Sequence, residues 1–396
     1  MPQLDQTRTT EYAVADRLCV RRTLAELCAT LFACLPRADQ RRKGEQYLTG
    51  LLRTPGKKSV RNISAFLGEE VNEQSLHHFV NDSTWDWTPM WDTLGRYLAS
   101  HSPPRAWVAR TMIIPKSGEH SVGVTRLFCS ERGQALNAQQ AVGIWGVATD
   151  TATPVNWRLH LPGSWIEDST KRNRASIPPD TVAGSLADSV VRAYRDTPAR
   201  HHVPGRPLVV DARRMDTGEL VGKLHRDRVP QMSRINEDTR LVPADPALPG
   251  WSEEPVHAAR ILQSVRNQRT RVTPVRPNTS ETVELATTVR VRLPKPAGSA
   301  RRGRPGGEFV LFGLGRNGAH WPEQLWLTDM TTAHPTALLR LSRLDQAVAR
   351  HGVRRIEHMG IRDFVGRSFA GWHRHATLVS AAHTAVELAE RDVAHH

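Results

Sequence analysis

WVARTMIIPKSGEHSVGVTRLFCSERGQALNAQQAVGIWGVA, residues 107–148, decides the fold. It holds three runs rich in Val, Ile, Phe and Trp: WVARTMII (107–114), HSVGVTRLF (120–128) and QAVGIWGVA (140–148). They are split by PKSGE and by a turn containing Gly and Asn, so three consecutive β-strands are expected. VNWRLHL (155–161) reads as a fourth strand. IPPDTVAGSLADSVVRAYRD (177–196) has helical spacing. RPLVVDARR (206–214) is a short buried-strand pattern that delivers Asp211 to its C-terminal end. Strands, a helix, then a strand ending in an acid is the order of an RNase H-like α/β core with a mixed sheet.

Outward from this core the patterning changes. Residues 11–100 read as an N-terminal helical domain. LAELCATLFACL (24–35) is apolar on most faces and stops at Pro36, and RADQRRKGEQYLTGLL (37–52) places Leu48, Leu51 and Leu52 at helical spacing. Short helices joined by Gly and Asn/Asp turns suit either a helix-turn-helix unit or a plain bundle. The basic clusters Arg41, Arg42, Lys43 and Lys57, Lys58, Arg61 favour DNA contact. Trp85, Trp87 and Trp91 are expected to fill the seam between the helical and α/β parts.

Towards the C-terminus, residues 260–304 carry eleven Lys/Arg and two acids, which reads as a strand-rich basic insertion with a loop at PKPAGSARRGRPGGE. EFVLFGLGR (308–316) and QLWLTDM (324–330) resume strand patterns, TALLRLSRLDQAVARHGVRRI (336–356) is an amphipathic helix, and a last helix follows. The core is thus expected in two segments, 105–259 and 305–390. GLGRNG (313–318) joins two strand-like runs and opens no helix, so it reads as a turn rather than a dinucleotide fingerprint.

The chain has 396 residues, 54 Lys+Arg against 40 Asp+Glu and a net charge of +14, with Arg supplying most of the cations. An excess of that size over a whole chain points to a polyanionic partner, of which nucleic acid is the commonest. No run of apolar residues is long enough for a membrane span, and the first residues lack a signal-peptide core. Cys19, Cys28, Cys34 and Cys129 form no CxxC pair and read as free thiols, which suits a reducing cytoplasm. His373, His375 and His383 lack a metal-binding frame and read as structural or phosphate-contacting.

Several ordered blocks are similar to one family. IIPKSGEHSVGVTRLF with GQALNAQQAVGIW, NWRLHLPGSWIEDSTKRNRASIP, LVVDA, and MGIRDFVGRSFAGWHRHATLVSAAH together resemble the insertion-sequence 701 type transposases of the DDE superfamily, from about Arg41 to His383. The resemblance implies an RNase H-like fold, Mg²⁺-dependent DNA cleavage and strand transfer, and a homodimer that pairs two DNA ends. Such chemistry needs carboxylates around two divalent ions.

Here the chain departs from the pattern. The first acid's position falls at Ala109 or Arg110, the second is present as Asp211, and the third falls near Ala349 to Arg354, where there is no acid. Glu357 and Asp345 lie close but shifted in opposite directions. Either the protein is an inactive or repurposed transposase, or its acids come from elsewhere, with Glu119, Asp329, Glu357 and Asp363 as candidates. The first reading is the expectation. The site residues expected are Asp211 and Glu357 as catalytic acids, Asp211 as the Mg²⁺ ligand if chemistry survives, and Arg41, Arg42, Lys43, Lys57, Lys58, Lys116, Arg126 and Arg367 against DNA. A domesticated, non-enzymatic DNA-binding regulator and a recycled fold with unrelated activity are the alternatives.

Overall fold

The computed structural model describes residues 21–69, 71–129, 133–249, 251–273, 284–294, 307–318 and 320–394. Residues 11–20, Cys19 and most of the expected basic loop after Pro294 lie outside these.

The described strands form one twelve-stranded sheet. Its heart is β1 (Ala106–Pro115), β2 (Thr125–Cys129), β3 (Gln134–Val147), β4 (Ala152–His160), β5 (Leu208–Asp211) and β6 (Gln231–Ile235). β3 runs antiparallel to β1, and its other edge is shared by β2 at Gln134–Ala138 and by β4 at Gln140–Val147. β1 pairs parallel with β5, and β5 parallel with β6. The order β4-β3-β1-β5-β6, three antiparallel strands followed by two parallel ones, is that of an RNase H-like core. The second expected strand is shorter than its pattern: residues 121–124 form a turn, and Gly123 sits at φ +74°, a conformation that side chains with a Cβ resist.

Beyond β6 the same sheet continues through β12 (Gln324–Thr328), β11 (Phe309–Gly315), β10 (Glu284–Arg292), β7 (Arg240–Pro243) and β8 (Val256–His257), with β9 (Thr270–Val272) also on β10. The strands expected as a separate insertion and the last two strands expected in the core therefore form one continuous extension of the sheet.

Helices cover both faces. The N-terminal helices are α1 (residues 21–31), α2 (Ala38–Arg53), α3 (Val60–Leu67), α4 (Glu73–Asn81) and α5 (Thr88–His101). Two short helices, α6 (Gly163–Ile166) and α7 (Ser169–Arg174), precede α8 (Leu186–Arg195). α8 is shorter than its pattern because Pro178 and Pro179 supply no N–H and Ser185 closes a capping box with Asp188. Then come α9 (Ala199–His202), α10 (Thr217–Arg226), α11 (Ala258–Ser264), α12 (Pro335–Ala347), α13 (Val353–His358) and α14 (Phe369–Ala394). A π-helical stretch, Val348–Gly352, joins α12 to α13, and a Cβ on Gly352 would come within 2.9 Å of the Trp145 ring.

Alternation along each strand sorts side chains to opposite faces. Trp107, Ala109, Leu208 and Val210 pack with α8 and α10. Val108, Met112, Val209 and Met232 pack on the other face, in the core shared by α12, α14 and the N-terminal helices. Trp85 and Trp91 are buried in that shared core, and Trp87 stacks on His373 of α14 at 5.1 Å. Among the described residues no helix is long and apolar enough to cross a membrane.

A candidate acid centre occupied by arginines

The face under α12 follows from the register. Ala109 lies beside Val210, so Arg110 lies beside Asp211, and Asp211 pairs with Arg234 on β6. Arg110 shares parity with Val108, Asp211 with Val209, and Arg234 with Met232. All three therefore point to the α12 side as a row, Arg110-Asp211-Arg234, across three parallel strands. α12 brings Asp345 down onto this row. Its carboxylate is 1% exposed, and Oδ1 accepts a 2.8 Å hydrogen bond from Arg110 Nη1.

The ion pairs are shared out closely. Arg213 grips Asp211 with both arms of its fork, Nε to Oδ1 at 2.9 Å and Nη2 to Oδ2 at 2.7 Å, while Arg110 Nη1 stands 3.8 Å from Oδ2. Burial pushes the Asp211 carboxyl up, but the Arg213 hydrogen bonds and the charges of Arg213 and Arg110 outweigh it and hold the group below its ordinary value. For Asp345 burial prevails over Arg110 and raises it. Arg234 is lowered by burial first and then by repulsion from Arg213. Arg110, Thr111, Asp211, Arg213 and Asn236 line an open cleft of about 410 Å³. A second cavity of about 320 Å³ is lined by Arg110, Arg213, Arg234, Asp345, Ala349 and Arg350.

A family model described as DDE superfamily endonuclease matches residues 30–292, a span that includes Arg110 and Asp211. The chain belongs to the DDE superfamily endonuclease family. A comparison with curated proteins finds no match.

Members of this DDE superfamily generally depend on divalent metal. The residues present here do not fit such an ion. Mg²⁺ wants several hard oxygen ligands free to approach it. Asp211 already spends both oxygens on Arg213, Asp345 gives Oδ1 to Arg110, and Arg110 puts a fixed positive charge between the two acids. Among the described residues no group of three or more His, Cys, Asp or Glu could hold a metal.

The other expected site residues scatter. Glu357 lies on α13, bonded to Arg362 at 2.5 Å, and lines neither cavity around Asp211, so it is not brought to that acid. Asp329, at the end of β12, accepts the Gln231 N–H at 2.8 Å, and Asp363 accepts the Lys58 N–H at 2.7 Å. Glu119 is exposed in the turn after β1. Among the basic residues, Lys116 Nζ donates to the Phe364 carbonyl at 2.7 Å, and burial lowers it to about 8. Lys58 is buried with its ammonium on the Thr54 carbonyl. Each of these lysines makes an internal tie to a backbone carbonyl. Arg41 reaches the Leu35 carbonyl at 2.6 Å, and Lys43 pairs with Asp39 at 3.2 Å. Arg42, Lys57, Arg126 and Arg367 are exposed.

The three histidines sit on α14 and are buried. His375 takes the Tyr47 hydroxyl at 2.8 Å on Nδ1 and reaches the Gly360 carbonyl at 2.9 Å through Nε2. His373 bonds the Phe369 carbonyl at 2.9 Å. His383 stands edge-on to Trp145. Cys28 and Cys129 are buried free thiols, whereas Cys34 is exposed because the chain leaves the helix there.

Sequence reasoning missed the part played by Asp345, Arg213 and Arg234. A signal for Asp345 existed: it follows Leu338 by seven residues, two helical turns, and so shares the buried stripe of α12. An acid on a buried stripe needs a cation, and Arg110 is the one cation in the apolar run WVARTMII.

Proposed function

We propose that this protein is a transposase-derived DNA-binding protein that binds DNA without cutting it, of the insertion-sequence 701 type. The observation that carries the reading is Arg110, beside Asp211 at one of the two positions expected for the first acid and ion-paired to Asp345. A cation there opposes a divalent ion and favours the phosphate it would have activated. The net charge of +14 supports a DNA partner, with exposed Arg42, Lys57, Arg126 and Arg367 as contacts. Two copies are proposed to hold a pair of DNA ends, a point that light scattering with and without DNA decides.

The test uses the full chain with duplex oligonucleotides and supercoiled plasmid in Mg²⁺ or Mn²⁺. Binding that weakens steeply between 50 and 200 mM salt is expected, roughly ten-fold or more for a handful of phosphate contacts, with no nicking or joining. Nicking that disappears in Asp211→Asn would overturn the reading. So would an absence of salt-dependent binding.

A further inference from the structure

We infer that the arginine row beneath α12 seats a phosphodiester oxyanion of DNA, held by Arg234 and Arg350. This rests on the DNA-binding reading above and says where on the sheet the backbone lies.

The charges in the cavity do not cancel. Asp345 is spent on Arg110, and Asp211 is held bidentately by Arg213. Arg234 and Arg350, which line the same cavity of about 320 Å³, have no ion-pair or hydrogen-bond partner for their side chains among the described residues. Arg234 is half-buried on β6, with its neighbour on β5 already paired to another arginine. A guanidinium withdrawn from water with neither carboxylate nor carbonyl to bond is costly, and an anion in the cavity removes that cost. A guanidinium fork fits two phosphate oxygens side by side. Gln324 and Gln346 add neutral amide donors to the wall.

The site's shape favours a chain of phosphates over a single ion. Arg213 is common to this cavity, to the cleft of about 410 Å³ beside Asp211 and to a third of about 550 Å³ along β6, so the three adjoin in one open groove. Glu237, Asp238 and Glu323 stand in the third, so the basic tract ends on the β12 side. Arg234 lies at the C-terminal end of a parallel strand, where open α/β sheets bind ligands.

The experiment is a fluorescence titration of a labelled 20-base-pair duplex against the full chain and its variants. Arg234→Gln/Arg350→Gln should weaken binding about ten-fold or more and make the salt dependence shallower by about one to two phosphate equivalents. Arg350→Gln alone, an exposed position where folding is not at issue, should weaken it about three-fold. Arg105→Gln/Arg206→Gln, which removes the same charge from exposed positions just before β1 and β5, at the opposite end of those strands, should change it less than two-fold. Wild-type affinity in the Arg234/Arg350 double variant would overturn the inference and leave the DNA-binding reading standing. A wild-type chain that binds no duplex would remove both. Inorganic phosphate alone should raise the melting temperature only weakly. A rise as large as the duplex produces, abolished by the double variant, would make this a free-phosphate site and overturn the DNA assignment.

Discussion

At the residue scale the centre is decided by one substitution of charge. Arg110 and Asp345 form a partly buried ion pair between a strand and a helix far apart in the chain. Removing one partner of such a pair leaves a charge with poor solvation, whereas replacing both with apolar groups removes the desolvation cost with the attraction. Asp345→Ala should therefore cost about 2–3 kcal/mol, below the range for fully buried pairs because Arg110 keeps some solvent and has Asp211 nearby. Arg110→Met/Asp345→Leu should lie within about 1 kcal/mol of wild type. Urea denaturation of Arg110→Met, Asp345→Leu and the double variant measures this, and additive losses would refute the coupling. A second outcome concerns the acids themselves. Arg110→Asp combined with Arg213→Gln would put a third carboxylate beside Asp211 and Asp345 and free both from guanidinium bonds, so Mn²⁺ should raise the melting temperature of that variant by several degrees while leaving wild type unmoved. An equal response in both proteins would contradict the account of why the site does not fit a divalent ion.

At the scale of elements, α14 is unusual in burying His373, His375 and His383 along one helix. Burial holds His373 and His383 at about 3 and His375 at about 4, below their ordinary value of 6.5. The unfolded chain then takes up protons below pH 6.5 that the folded chain refuses. Stability is complete above that pH and falls as the pH drops towards the folded values, by about 1.4 kcal/mol per pH unit for each histidine once it is fully protonated in the unfolded state. Urea midpoints at pH 7, 6 and 5 should decline progressively, and His383→Phe should flatten the decline. Equal midpoints at pH 7 and 5 would rule this out. α12 shows a different constraint. The π-helical stretch after it brings Gly352 against Trp145, so Gly352→Leu should lower stability by about 1–3 kcal/mol through overpacking, which a thermal melt reads.

At the scale of the whole molecule, the N-terminal helices and the sheet share one core across α14. Arg374 bridges them: it is buried, and its guanidinium donates to the carbonyls of Trp85, Val80 and Asn81 while lying 5.4 Å over the Trp85 ring. Arg374→Met should remove these bonds, leaving the Asn81 carbonyl only its Ser368 hydroxyl, cost about 2–4 kcal/mol, and broaden the single unfolding transition expected of a shared core. Differential scanning calorimetry distinguishes this from two independent transitions in the wild type.

The local pattern was enough for β1 to β5 of the RNase H-like core, because alternating or continuous β-branched runs between turns have few other solutions. It was enough for Asp211 at the end of its strand. It predicted no element between residues 215 and 259, where α10, β6 and β7 lie. β6, QMSRI, buries Gln231 and Ser233: the Ser233 hydroxyl donates to Gln231 Oε1, and the Gln231 backbone bonds Thr328 and Asp329, while Gln231 Nε2 stays unpaired among the described residues. The rest of the centre was a matter of tertiary structure. Asp345 meets Arg110 across 235 positions, and Arg234 joins the row only once parallel pairing aligns β6 with β5. A carboxylate's partner is set by distance in space, which one-dimensional spacing carries for neighbours on a helix or strand and loses as soon as the chain crosses from sheet to helix.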